Sequence, residues 1–183
     1  QSSAEKTRVI VERFRREAQA AAFLRSPHTI SLYDCGVTDA GTFYYVIERL
    51  EGFDLETLVK SHGPVSAART IFFLRHACHS LGEAHSRGVI HRDIKPSNLM
   101  LTTDSDVRLI DFGIALHTDA DFSRIEGIAG SPSYMSPEQV QSLELTNHSD
   151  LYSLAAVMYE LLTGHRPFRA GALAKLLHQI VYA

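Results

Sequence analysis

The run His91-Arg92-Asp93-Ile94-Lys95-Pro96-Ser97-Asn98 decides how the rest of the chain is read, together with Asp111-Phe112-Gly113 thirteen positions after Asn98. The first run is a short polar loop. Between the two, Leu99-Met100-Leu101 and Val107-Arg108-Leu109-Ile110 read as strands around the polar turn Thr102–Asp106, and that hairpin brings Asn98 near Asp111. Asp93 is a carboxylate placed to accept a proton from a hydroxyl. Lys95, two residues on, is a cation able to neutralise a transferring phosphoryl group. Asn98 and Asp111 are oxygen ligands on either side of a hairpin, and hard oxygen ligands suit Mg²⁺. A base, a cation and a metal pair are the parts phosphoryl transfer requires, because that chemistry is mostly positioning and charge stabilisation.

His91-Arg92-Asp93, with Asn98 five residues after the aspartate, resembles the catalytic loop of a protein kinase. Asp111-Phe112-Gly113 resembles its metal-binding turn, and Ser136-Pro137-Glu138 the end of its activation segment. The wording around the last motif, Gly130-Ser131-Pro132-Ser133-Tyr134-Met135-Ser136-Pro137-Glu138-Gln139, is most similar to bacterial serine/threonine kinases. The resemblance implies a bilobal α+β kinase-like fold. Residues 1–49 would be part of the first lobe, and residues 50–183 most of a mainly helical second lobe.

Composition agrees with a globular chain. Its 183 residues are enough to bury a core, and 45% hydrophobic with 21% charged residues is ordinary. A net charge of −3 gives no basis for a nucleic-acid partner. Two cysteines, Cys35 and Cys78, make no disulfide framework, so a reducing cytoplasm is expected. The longest apolar stretch, Leu151 to Met158, is too short to span a bilayer, and no membrane contact is expected within the chain. The N-terminus is polar and carries no signal-peptide pattern. Gln1 in place of Met fits a chain that begins inside a gene, whose full product could carry a membrane anchor.

Residues 5–24 read as an amphipathic helix, with Ile10, Phe14, Ala18 and Ala21 on one face and Pro27 ending it. Glu17 matches the kinase glutamate that pairs with a strand lysine; read without the resemblance, it is an i,i+4 partner of Arg13. The lysine strand and the glycine-rich loop do not occur in these residues. Residues 29–36 and 42–48 read as a hairpin about Asp39-Ala40-Gly41. The resemblance then makes Glu48 to Gly52 the hinge that meets adenine. Ile47 would be the gatekeeper, Glu48 and Leu50 would contribute backbone contacts, and Met100 would form the adenine floor.

Asp54 is read as the N-cap of a short helix ending at Gly63-Pro64. Ser66 to Arg87 is a long helix with an expected apolar stripe of Ile71, Leu74, Cys78, Leu81 and His85, closed by Gly88. His76 and His79 are i,i+3 neighbours on it, but no third ligand lies nearby in sequence, so packed or surface histidines are the expectation. Val89-Ile90 reads as a short strand. Residues 111–138 form the activation segment. By resemblance Arg92 would pair with a phosphate in it, Ser123 would be a site of self-phosphorylation, and Ser131 would bond the catalytic aspartate. Asn147 to Thr163 reads as a helix apolar nearly all round, hence central and buried, ended by Gly164. Asp150 near its start resembles the aspartate that anchors the catalytic-loop backbone, and Glu138 the one that pairs with an arginine from later helices. Gly171 to Tyr182 is a last helix.

The resemblance implies an ATP- and Mg²⁺-dependent protein serine/threonine kinase. Asp93 and Lys95 would be catalytic, and Asn98 and Asp111 would hold metal and nucleotide. Glu17, His91, Arg92, Phe112, Gly113, Ser123, Ser131, Glu138 and Asp150 would be structural or regulatory, and the partner a protein bearing Ser or Thr. The chain alone is expected to be a weak or inactive fragment. The alternative, for a chain that is full length, is a non-catalytic scaffold.

Overall fold

The computed structural model describes residues 22–38, 42–112 and 131–182, with Phe43 and Ser131 described by backbone alone. Most of the expected helix over 5–24, with Arg13 and Glu17, lies outside these residues, as do Gly113 and Ser123.

β1 (Leu32–Val37) and β2 (Phe43–Ile47) pair antiparallel, joining Leu32 to Ile47 and Val37 to Phe43. β1 begins later than the expected residue 29. Thr29 instead forms an isolated parallel bridge to Leu109, and the Ile30 N–H donates to the Leu109 carbonyl at 3.0 Å, so this backbone serves the other sheet.

That sheet has the order β3-β4-β5, with β3 Gly52–Asp54, β4 Leu99–Thr102 and β5 Val107–Leu109, all antiparallel. Alternation decides its inner face: Leu99, Leu101, Val107 and Leu109 are buried while Met100 and Arg108 stand on the other side. Each fully buried aliphatic side chain contributes about 1.5–3 kcal/mol. The outer edge of β5 is covered: the Val107 N–H donates to His76 Nδ1 at 3.1 Å, and the Leu109 N–H to the His28 carbonyl at 2.8 Å. Covered edges cannot recruit a foreign strand. β3 was missed in sequence because its three residues span the end of the stretch read as a hinge, Gly52, and the residue read as a helix N-cap, Asp54.

α1 (Leu55–His62) starts as expected, with Asp54 accepting the Thr57 N–H at 2.8 Å. α2 (Ala67–Ser86) runs from Ser66 to a left-handed Gly88. Its buried face is Thr70, Phe73, His76, Ala77, Ser80, Leu81 and Ala84. The buried face is therefore rotated from the expected stripe: Leu81 is in the core and Leu74 packs against it as expected, but Ile71 is 67% exposed and Cys78 is exposed. The buried hydroxyl of Ser80 explains part of the error, since its 2.6 Å bond to Thr29 Oγ1 satisfies a group that hydropathy counts as outward. Val89-Ile90 is no strand; the Val89 N–H instead closes the end of α2 on the Ala84 carbonyl.

After the one-turn α3 (Pro137–Val140), α4 (Asn147–Thr163) is capped by Thr146 and ended by Gly164 in the left-handed conformation. It is not buried all round. Leu154, Val157 and Leu161 face the core, but Leu151, Met158, Tyr159 and Leu162 are exposed. Ser149, Asp150, Ser153 and Glu160 take their place inside, each hydrogen-bonded. α5 (Leu173–Tyr182) completes the described chain.

Candidate active site

Pro96 to Asn98 form one 3₁₀ turn leading into β4, and this turn sets the loop geometry. The Lys95 ammonium meets the Asp93 carboxylate at 2.6 Å. Asn98 donates its amide to the Asp93 carbonyl at 2.8 Å and to its carboxylate at 3.2 Å. Those donations fix which end of the Asn98 amide is nitrogen and leave Oδ1 as the atom with ligand character. The Ile110 N–H donates to the Asn98 carbonyl at 3.0 Å, which sets Asp111 beside the turn. Asp111 itself is exposed and left-handed at φ 58°. Two oxygen donors at this place, one neutral and one anionic, fit a hard divalent cation.

One carboxylate holds the loop from below. Asp150, 1% exposed, accepts the His91 N–H at 2.9 Å, the Arg92 N–H at 2.9 Å and His85 Nε2 at 2.7 Å. The two amides converge because Arg92 adopts φ 70°. Gln139 adds a clamp from the other side, donating to the Arg92 carbonyl at 2.7 Å while its Oε1 closes a capping box with Ser136. His91 is fully buried. Its Nε2 donates to the Ile110 carbonyl at 2.9 Å and its Nδ1 accepts the Asp93 N–H at 3.3 Å, so the ring is a neutral imidazole. Burial pushes its pKa below the usual value, against the pull of Asp150, Asp93 and Asp111. Phe112 packs on it, ring centroids 4.8 Å apart.

The other expected residues are more dispersed. Glu48 accepts the Ser31 N–H at 2.7 Å and Arg108 at 3.1 Å, tying the end of β2 to β5. Ile47 is exposed, and Leu50 and Met100 are half-buried. Glu138 accepts from Ser149 at 2.5 Å; burial raises its pKa, but the Ser149 bond and others outweigh this and the net shift is downward. Gly113, Ser123 and Glu17, with the Ser131 side chain, lie outside the described residues. Sequence reasoning missed His85, placed on an apolar stripe, and Gln139, whose only signal was its place three residues after Ser136. It also missed Glu160, which accepts the Tyr134 hydroxyl inside the core. Burial and that contact raise the Tyr134 pKa.

A family model described as a protein kinase domain matches residues 1–182. The chain belongs to the protein kinase domain family. It is 38% identical over 175 residues to the serine/threonine-protein kinase PknB of Mycobacterium tuberculosis, covering 92% of this chain and 28% of that protein. It is 37% identical over 170 residues to the serine/threonine-protein kinase PknH of Mycobacterium bovis, again 92% and 28%. With PknB of Mycolicibacterium smegmatis the figures are 39% over 162 residues, 85% and 26%. The chain thus spans little more than a quarter of the length of the curated relatives it matches. Protein kinases in general use ATP and Mg²⁺ and act on proteins. No described helix of this one is long and apolar enough to cross a membrane.

Proposed function

We propose that this chain holds the catalytic centre of a protein serine/threonine kinase. The observation that carries the reading is the Asp93 carboxylate, paired with Lys95 at 2.6 Å and bonded by Asn98 at 3.2 Å, on a loop whose backbone hangs from Asp150. Asp93 orients a substrate hydroxyl and takes its proton. Lys95 neutralises charge developing on the phosphoryl oxygens. Asn98 and Asp111 would hold Mg²⁺, which supplies charge neutralisation on the nucleotide phosphates. An aspartate is a weak base, so orientation and charge stabilisation lower the barrier more than proton transfer does.

In this reading the lobes divide between Arg49 and Leu50. Ile47, Glu48, Leu50 and Met100 line the adenine side, and Ser123 is phosphorylated and pairs with Arg92. Glu17 would pair with a strand lysine, and Ser131 would select Ser or Thr. The substrate is a protein hydroxyl.

The test is transfer of labelled γ-phosphate to a Ser/Thr peptide by the gene product that carries these residues. Asp93→Asn should lower kcat about 10²- to 10⁴-fold. Unchanged turnover in that variant overturns the reading. The 183 residues alone, which contain no Gly-x-Gly-x-x-Gly, should be weak or inactive.

A further inference from the structure

Behind the site, on the far edge of β5, the fold assembles a group that sequence spacing does not show. His76 from α2, His28 from the segment before β1, and Asp106 from the β4–β5 turn bring one ligand atom each to within 4.8 Å of one another. The rings of His28 and His76 lie stacked, centroids 3.9 Å apart. His79 stands edge-on to His28 at 5.4 Å, its Nδ1 bonded to Ser26 at 2.9 Å. His28 Nδ1 is buried and has no hydrogen-bond partner among the described residues. A buried ring nitrogen left unsatisfied beside a second imidazole and a carboxylate calls for a ligand.

We propose that His28, His76 and Asp106 form a second metal site, distinct from the Asn98–Asp111 pair, that takes a borderline transition ion of the Zn²⁺ type. Two imidazoles with one carboxylate are a donor set for such ions, with solvent completing the sphere. Arg75 and Arg108 lie near enough to oppose any dication here, so affinity must come from the donor atoms, and imidazole nitrogen suits a borderline ion better than a hard one. Binding requires two local changes. The stacked rings must splay, and His76 Nδ1 must release the Val107 N–H it accepts at 3.1 Å. The Asp106 side chain, 42% exposed at the tip of a turn, has room to close in. Once formed, the site would clip together three segments: the residues before β1, α2, and the turn that leads to Arg108 and its partner Glu48.

The experiment is titration of Zn²⁺ into chelator-stripped protein, with Mg²⁺ in excess, read by calorimetry and by thermal melting. One equivalent should bind and raise the melting temperature, and Co²⁺ in its place should develop visible absorption. His28→Asn and Asp106→Asn should each weaken binding about tenfold or more, while His62→Asn, on an exposed residue, should leave it unchanged. Asp106 is partly exposed, so its variant keeps the test decisive where the histidine variant fails to fold. Absence of saturable one-equivalent binding overturns the site, as does unchanged affinity in either folded variant. Neither result touches the kinase reading, which rests on Asp93 and is tested by phosphate transfer.

Discussion

At the scale of the residue, Asp150 does what no neighbour can replace. Its carboxylate accepts two backbone N–H groups and an imidazole while 1% exposed. Asp150→Ala would leave the His91 and Arg92 amides without that acceptor, at about 1–3 kcal/mol for each buried group. Urea denaturation should therefore show a loss of several kcal/mol; a change under about 1 kcal/mol would mean water takes over both amides. Asp150→Asn should lie between, because one amide oxygen remains. Gly52 is a second position with no substitute. Its φ is 149°, and a Cβ there would stand 2.0 Å from the Leu101 carbonyl oxygen. Gly52→Ala should strain the backbone by about 1–3 kcal/mol and loosen the pairing of β3 with β4. The measurements are the melting temperature and nucleotide affinity, and an unaltered melting temperature would contradict the contact.

At the scale of the element, α2 offers a direct choice between two faces. The pattern of apolar letters selects Ile71, whereas the fold buries Phe73 at 3% exposure and leaves Ile71 at 67%. Phe73→Ala should destabilise by about 3–5 kcal/mol. Ile71→Ser should change stability by no more than about 0.5 kcal/mol. Comparable losses from both would return the helix to the register its hydropathy suggests. α4 shows the same principle differently: its polar residues point inward because Glu160, Ser153 and Asp150 each have a partner there. The alternative face, with Leu151 and Met158, then meets solvent in this chain.

At the scale of the molecule, stability should fall on acidification in two stages. His91 is held neutral by burial, so its folded pKa lies below the ordinary 6.5. The unfolded chain then binds the proton first, and stability drops as pH falls through that value toward the folded one. Glu83 and Glu138 follow. Burial alone would raise Glu83, but the Arg25 and Ser26 N–H groups, at 2.8 and 2.6 Å, outweigh it and hold the carboxyl below the ordinary 4.5. Their contribution is present above 4.5 and lost as pH falls below it. Urea midpoints measured from pH 8 to pH 3, a range of about 5 units spanning both values, should show a first decline that His91→Gln makes shallower, the rest coming from His28 and His76, whose pKa values burial also lowers. A single decline confined to the carboxylate range would contradict the neutral His91.

Legibility followed the range of the interaction. Caps, turns and the order of the strands around Asp93, Asn98 and Asp111 are local: Asp54, Gly88 and Gly164 stop or start helices through bonds within a few residues, and the Thr102–Asp106 turn forces β4 against β5. Chain order alone therefore determined the hairpin, most helix bounds and the catalytic loop with Asp93 and Lys95 two residues apart. The register of α2, the strand β3, the half-exposed α4 and the meeting of His28, His76 and Asp106 depend on partners dozens of residues away, which supply hydrogen bonds to buried Ser80, Asp150 and Glu160. Only the tertiary structure decided those, because a polar group's place inside is set by the acceptor or donor that meets it there, and no local pattern of hydropathy encodes that meeting.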